Sequence, residues 1–176
     1  KMYFVFSDVH GCLGEMNELL KHWDRDKETL IFLGDMIDRG SNSFGVVKKL
    51  MELKQNYPDK VVVLKGNHDD QFIQWLYLGP EERKKYYYHG LHETLKSFYW
   101  DEPKKFKKDT RQQRAVYVKK KYPEVIKFIS ELPLYYETAT CIFDHAGIDM
   151  TNSDWRNDKE SLLWIRKKFY LSEKTS

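Results

Sequence analysis

Four short segments of this 176-residue sequence place acidic, imidazole or amide side chains beside a glycine. They read SDVHG (7–11), GDMIDRG (34–40), KGNHD (65–69) and DHAG (144–147). Carboxylate, imidazole and amide groups together suit manganese, iron or zinc better than calcium. Asp8 and His10 alternate with Val9, so both would project to the same side of an extended chain. The four segments therefore predict a metal site.

Two divalent ions would make such a site a centre for phosphate chemistry. Asp35 has two carboxylate oxygens and could bridge two ions, and Asn67 adds an oxygen without adding charge. Two divalent ions carry a charge of +4, and the carboxylates of Asp8 and Asp35 reduce the net charge of the site to about +2. This positive charge attracts phosphate and favours formation of hydroxide from bridging water. Arg39 presents a planar fork that suits phosphate oxygens, and Asp38 could orient a catalytic imidazole.

The elements that position these segments alternate between strand and helix patterns. Residues 2–8, 29–35 and 60–65 are short apolar runs, as expected of buried strands. Residues 13–23 and 44–54 carry apolar side chains at helical spacing, and a further helix follows the third strand. This βαβαβ order predicts an α/β fold with a largely parallel sheet. Ligands bind at the carboxyl ends of parallel strands, so the polar segments should meet at one edge.

The second half of the sequence has a different character. Residues 78–128 are rich in Lys and Tyr, show no convincing strand and predict a helical insertion. Residues 132–138 and 140–147 return to strand patterns and could form a hairpin. The length fits one domain, residues 1–176, that can bury a sizeable core.

Composition restricts the location and the partners. The net charge of +3 gives no strong preference for polyanions, and no apolar stretch approaches membrane-spanning length. Cys12 and Cys141 lie far apart, without metal or redox spacing. Together with the lack of a signal-peptide pattern, they predict a reducing, cytoplasmic location and no membrane partner.

The middle of the sequence is basic, with 14 Lys or Arg against seven Asp or Glu between Glu81 and Lys127. Aromatic residues among these lysines could stack nucleic-acid bases. We favour instead a solvated helical cap whose tyrosines cover the core, so nucleic acid is not an expected partner. An intermediate interpretation is that the cap steers anionic substrates towards the metals. His89 and His92 could bind a metal at their i, i+3 spacing, but we favour packing.

The motifs DVHG, GDMIDRG, GNHD and HAG, in this order and spacing, resemble those of the metallophosphoesterases. More narrowly, they resemble the bacterial and lambda-phage branch of the phosphoprotein phosphatases and the symmetrical diadenosine tetraphosphate hydrolases. The resemblance implies an α/β/β/α sandwich with residues 78–128 as an inserted cap and a second sheet that is incomplete in this chain. It also implies two divalent ions as cofactors, with manganese expected before iron or zinc.

The resemblance assigns the metal ligands residue by residue. Asp8 and His10 would bind the first ion. Asp35 would bridge both ions, and Asn67 and His145 would bind the second.

The resemblance also assigns the catalytic and phosphate-binding residues. His68 would be the general acid that protonates the leaving oxygen, held by Asp38. Arg39 would bind phosphate, as would Arg166, since LLWIR resembles the LW-x-R stretch of the lambda-type enzymes. Lys65 stands where many members have an arginine, and it keeps the charge but not the bidentate geometry.

One family ligand has no counterpart in this sequence. The family supplies a further histidine to the second metal, in a Gly-His-Thr-like motif after the LW-x-R stretch. No histidine follows His145. The resemblance therefore implies that the natural chain continues into a strand with that motif, and that the second ion binds weakly to the 176 residues.

Three functions of different classes are compatible with these residues. The leading prediction is a phosphomonoesterase that acts on phosphoserine or phosphothreonine in proteins, which the motif GDMIDRG favours. The second is a dinucleotide polyphosphate hydrolase, because GNHD and HAGI resemble that family equally well. The third is a non-catalytic, metal-poor binding module.

Overall fold

The computed structural model describes residues 2–78 and 90–172. Three parallel strands form its first sheet, in the order β1–β2–β3: β1 (Met2–Phe6), β2 (Glu28–Phe32) and β3 (Val61–Val63). Two helices connect them: α1 (Leu13–Leu20) and α2 (Ser43–Asn56). The predicted α/β class and the parallel βαβαβ order are confirmed. Each strand ends two residues or more before its predicted end, which leaves the polar segments in loops beyond the sheet.

The described residues of the following part of the chain form helices joined by short turns. It contains α3 (Asn67–Leu78), α4 (His92–Phe98), α5 (Pro103–Lys108), α6 (Arg111–Lys121) and α7 (Pro123–Glu131). Local sequence explains several helix starts: α5 and α7 begin with proline, and Thr110 and Gln113 form a capping box at the start of α6. The predicted helical insertion is therefore observed outside residues 79–89, which include His89 and lie outside the described residues.

The helices from the insertion pack into the same core as the first sheet. Helix α4 packs on α2, and α7 packs on α3. Buried side chains from both parts form one cluster: Leu30, Phe32, Val46, Leu50, Phe72, Trp75, Leu95, Phe98, Val118 and Ile129. Tyr99 is buried and stacks on Tyr117, so tyrosines do cover this core. His92 packs edge-on against Phe106, with ring centroids 5.2 Å apart.

A short antiparallel hairpin follows the helical part. Its strands are β4 (Tyr135–Glu137) and β5 (Ile142–Asp144), and they are followed by α8 (Lys159–Trp164) and α9 (Lys167–Tyr170). The described residues thus contain the predicted hairpin as a two-stranded second sheet. Within the described ranges, each helix is too short or too polar to cross a membrane.

Candidate metal centre

Backbone hydrogen bonds join the loops that leave β1 and β2. The first loop donates three of them, with N···O distances of 2.9–3.0 Å: Asp8 to Gly34, His10 to Asp35 and Gly11 to Met36. A fourth returns from the N–H of Gly40 to the carbonyl of His10 at 2.8 Å. The two loops therefore form one framework, and the first two polar segments of the sequence are held side by side as predicted from the strand ends.

Five non-glycine residues in these loops adopt the left-handed backbone conformation. Their φ angles lie between 45° and 73°, and they are Asp8, His10, Asp35, Asp38 and Arg39. All five were predicted as site residues. Backbone conformations of this kind cost about 1–3 kcal/mol each and concentrate at functional sites. The prediction that Asp8 and His10 project from an extended chain was wrong. Strand β1 ends at Phe6, and both residues lie in a turn with left-handed backbone conformations.

The carboxylate of Asp35 lies between two imidazoles. Its Oδ2 is 3.5 Å from Nε2 of His10 and 3.7 Å from Nε2 of His145. Oδ1 of Asp8 lies 3.8 Å from the same His10 nitrogen. Two ligand atoms about 2.1 Å from a tetrahedral ion stand roughly 3.4 Å apart. The spacing of these side chains therefore matches that of neighbouring metal ligands.

The backbone selects the ring nitrogens that face Asp35. Nδ1 of His10 lies 2.7 Å from the carbonyl oxygen of Ile37, and Nδ1 of His145 lies 3.0 Å from that of Leu33. A carbonyl only accepts hydrogen bonds, so each Nδ1 carries the hydrogen. In the neutral imidazole each Nε2 then presents a lone pair towards Asp35, which is the usual arrangement of metal-binding histidines.

Two buried lone pairs in this cluster lack a partner among the described residues. They belong to Nε2 of His10 and Oδ1 of Asn67. Unpartnered buried polar atoms cost free energy, and coordination of metal ions would satisfy them. Ligand atoms of His10, Asp35 and His68 all lie within 4.8 Å of one another. The residues present therefore fit a divalent cation.

Asp69 is a site residue that sequence analysis missed. Its buried carboxylate accepts the backbone N–H groups of Gly66, Asp35 and Met36 at 2.8, 2.9 and 3.0 Å. Burial and the charge of Asp35 raise the pKa of Asp69, although the three N–H groups act in the opposite direction. The carboxylate thereby ties the start of α3 to the loop that carries Asp35. The sequence feature that could have identified Asp69 is its position directly after Gly66, Asn67 and His68.

Gly66 allows the loops from β2 and β3 to approach each other. A Cβ atom at Gly66 would lie 2.1 Å from Oδ1 of Asp35 and 2.3 Å from its backbone nitrogen. The same Oδ1 accepts the N–H of His68 at 3.0 Å. The glycine before Asn67 therefore leaves room for the carboxylate at the centre of the cluster.

His68 and Asp38 form a hydrogen-bonded pair. Nδ1 of His68 donates to Oδ2 of the fully buried Asp38 at 2.7 Å. Burial lowers the pKa of His68, but the hydrogen bond to Asp38 and the charges of Asp35 and Asp38 outweigh it and raise that pKa above its ordinary value. Nε2 of His68 is 3.5 Å from Nη2 of the exposed Arg39. The imidazole and the guanidinium thus face the same space.

Lys65 and Arg166, which were predicted to bind phosphate, make their hydrogen bonds to backbone carbonyls instead of to the side chains of the site. Lys65 is buried, and its ammonium donates to the carbonyl of Ser130 at 2.8 Å; burial lowers its pKa. Arg166 is exposed and donates to the carbonyl of Ile165 at 3.1 Å. Neither makes a hydrogen bond or an ion pair to a site side chain within residues 2–78 and 90–172. Their role in phosphate binding stays a prediction.

Thr94 of the helical insertion also reaches the site. Its Oγ1 donates to Oδ1 of Asp38 at 2.6 Å and accepts the backbone N–H of Asp38 at 2.8 Å. Ser43 at the start of α2 accepts the same N–H at 3.1 Å. Sequence analysis did not find the contacts of Thr94, because residues 56 positions apart are not related by any local spacing.

Comparison with known proteins agrees with this geometry. Residues 3–175 match the family of calcineurin-like phosphoesterases. A candidate diadenosine tetraphosphatase is 19% identical, with a TM-score of 0.57, over 91% of this chain and 57% of that one. A Saccharomyces cerevisiae protein serine/threonine phosphatase with similarity to human phosphatase PP5 is 24% identical, with a TM-score of 0.59, over 92% of this chain and 48% of that one.

These two structural relatives share the fold of this chain at low sequence identity. The chain spans about half the length of each, at 57% and 48%. The family match covers nearly the whole sequence, and the predicted resemblance to metallophosphoesterases is confirmed. The chain belongs to the calcineurin-like phosphoesterase family.

Proposed function

We propose that this chain is a metal-dependent phosphomonoesterase that hydrolyses phosphoserine or phosphothreonine in proteins. One observation supports it above the others. The carboxylate of Asp35 lies 3.5 and 3.7 Å from two imidazole nitrogens, next to an acid–imidazole pair and an exposed arginine. This arrangement combines a place for cations, a proton donor and a phosphate ligand.

The donor set divides into two groups around Asp35. Asp8 and His10 would hold one ion, and Asn67 and His145 would hold the other. Asp35 would be shared, since its Oδ2 faces both imidazoles. When bound, such ions polarise a phosphate group and provide hydroxide at neutral pH. Manganese is our first choice of metal, and a dinuclear site is part of the proposal.

Arg39 and His68 would act on the substrate itself. The planar guanidinium of Arg39 can donate two N–H groups to phosphate oxygens. Nε2 of His68 faces the same space and would deliver a proton to the leaving seryl or threonyl oxygen. Asp38 accepts from Nδ1 and so fixes the ring with Nε2 outward. After product release, the imidazole recovers its proton from water.

Hydrolysis of dinucleotide polyphosphates is the second candidate. It would use the same cations and the same arginine, with a phosphate as leaving group. A nucleoside phosphate leaves without protonation more readily than an alkoxide does, so His68 would matter less. The motifs GNHD and HAGI, together with the shared fold of a candidate diadenosine tetraphosphatase, support this candidate.

Activity assays after metal exchange test the proposal. The chain is stripped with a chelator, reloaded with manganese, iron or zinc, and assayed on p-nitrophenyl phosphate, a phosphothreonine peptide and diadenosine tetraphosphate. We expect no activity without metal and the highest kcat/KM on the peptide with manganese. Higher kcat/KM on the dinucleotide would favour the second candidate. Metal loading without turnover on any of the three would favour a binding module.

A further inference from the structure

The helical insertion contacts the acid–imidazole pair through one side chain of α4. Thr94 is fully buried, and its single hydroxyl makes two hydrogen bonds to Asp38. It donates to Oδ1 of the carboxylate at 2.6 Å and accepts the backbone N–H at 2.8 Å. The hydroxyl therefore fixes both the side chain and the backbone of the same residue.

The two oxygens of Asp38 have different partners. Oδ1 accepts from Thr94 and Oδ2 accepts from Nδ1 of His68 at 2.7 Å. Asp38 is completely buried and has a φ of 73°, so its orientation depends on these contacts. Loss of the hydroxyl would leave a buried carboxylate oxygen without its donor, a costly state that rotation of the carboxylate would relieve. Rotation would release the imidazole from its orientation.

Gly90 provides a second, independent contact between the helical insertion and Asp38. Gly90, just before α4, has a φ of 119°. A Cβ atom there would lie 2.5 Å from the backbone nitrogen of Arg39 and 2.9 Å from Cβ of Asp38. The chain at Gly90 therefore lies directly against Asp38 and Arg39. Thr94, four residues later, completes the contact with its hydroxyl.

We propose that Thr94 is a positioning residue for the His68–Asp38 pair, so that the helical insertion takes part in proton delivery to the leaving group. This inference rests on the proposed phosphomonoesterase function. Thr94 touches neither the substrate nor the cations in this account. It acts through Asp38, by keeping Nε2 of His68 directed to the space beside Arg39.

Three variants separate positioning from folding. Thr94→Val keeps the shape of the side chain and removes the hydroxyl, and Thr94→Ser keeps the hydroxyl. Ser97→Ala is the control on the same helix. The buried hydroxyl of Ser97 accepts the N–H of Phe44 at 3.0 Å and donates to the backbone carbonyl of Thr94 at 2.7 Å, and neither bond involves the side chain of Thr94, Asp38 or His68.

Turnover on substrates with different leaving groups is the first measurement. For Thr94→Val we expect kcat on an alkyl phosphate such as a phosphothreonine peptide to fall about 10–100-fold, the usual effect of removing a residue that orients an active-site group. On p-nitrophenyl phosphate, whose leaving group needs little protonation, the loss should be below about threefold. Thr94→Ser should recover most of the activity, and Ser97→Ala should affect both substrates alike. Equal losses on both substrates for Thr94→Val would overturn the inference.

The imidazole can also be followed without turnover. In nitrogen-15 NMR spectra of the zinc-loaded protein, in which the ion is diamagnetic, the Nδ1–H of His68 should be protected from exchange in the unchanged protein and in Ser97→Ala. It should exchange faster in Thr94→Val. Unchanged protection in Thr94→Val would overturn the inference. If the unchanged protein hydrolysed neither substrate, the proposed function would be wrong. The difference in hydrogen exchange between the unchanged protein and Thr94→Val would still test the role of Thr94.

Discussion

A methyl group at position 66 should displace Asp35, because it would collide with both the backbone and the carboxylate of that residue. In Gly66→Ala, the new Cβ would lie 2.1 Å from Oδ1 of Asp35, 2.3 Å from its backbone nitrogen and 2.9 Å from Cγ. Movement of the backbone nitrogen would strain the hydrogen bond that the N–H of Asp35 donates to Asp69 at 2.9 Å. The loops from β2 and β3 must therefore separate, and Asp35 must shift relative to its imidazole neighbours.

The size of the effect follows from overpacking. Extra atoms in a well-packed interior cost about 1–3 kcal/mol. For a chain of this length, 1 kcal/mol corresponds to roughly 2–4 °C in melting temperature, so Gly66→Ala should melt about 2–12 °C lower. The displacement of Asp35 should also weaken manganese binding by about tenfold or more.

Gly14→Ala is the matched control for this variant. Gly14 is exposed in α1, and a Cβ there would have no atom within 4 Å. Alanine in a helix is favoured over glycine by about 0.5–1 kcal/mol, so this variant should melt slightly higher and bind manganese normally. Calorimetric melting and titration with manganese measure both quantities. Gly66→Ala with the stability and the metal affinity of the unchanged protein would show that the two loops do not approach as described.

Two further variants test the chemistry beside the cations. His68→Asn should lower kcat on phosphothreonine peptides by about 10²–10⁴-fold, with a smaller loss on p-nitrophenyl phosphate and unchanged metal content; loss of metal would instead make His68 a ligand. Arg39→Lys keeps the charge but not the planar fork, so KM for phosphopeptides should rise about tenfold without loss of metal. An unaltered KM would remove Arg39 from the phosphate site.

Sequence patterns were sufficient for the first sheet and for the convergence of the site. Short apolar runs separated by helical periodicity have few alternatives to a parallel sheet, and strand ends in such a sheet share an edge. Asp8, Asp35 and Asn67 could therefore be grouped before any coordinates were known. His145, in the fourth polar segment, was grouped with them, and its Nε2 lies 3.7 Å from Oδ2 of Asp35.

Contacts that depend on long-range packing could not be predicted. Thr94 reaches Asp38 only because α4 packs on α2, and the sequence does not encode that pairing in any local spacing. Lys65 was expected at phosphate because it stands where many members of the resembled family have an arginine, whereas its ammonium donates to the carbonyl of Ser130. The position of a residue in a motif indicates where its backbone lies, while the partner of its side chain depends on the helices packed around it.

The metal content of Asp35→Asn is the most direct test of a metal centre built around Asp35. Asp35 is the one carboxylate in the described residues whose oxygen faces both His10 and His145. The control is Asp59→Asn, which makes the same change of charge at an exposed position. Manganese titration followed by elemental analysis compares both with the unchanged protein. We expect Asp59→Asn to bind manganese normally, and Asp35→Asn to lose more than about 100-fold in manganese affinity while it stays folded. Equal manganese content and turnover in Asp35→Asn would contradict a metal centre built around Asp35.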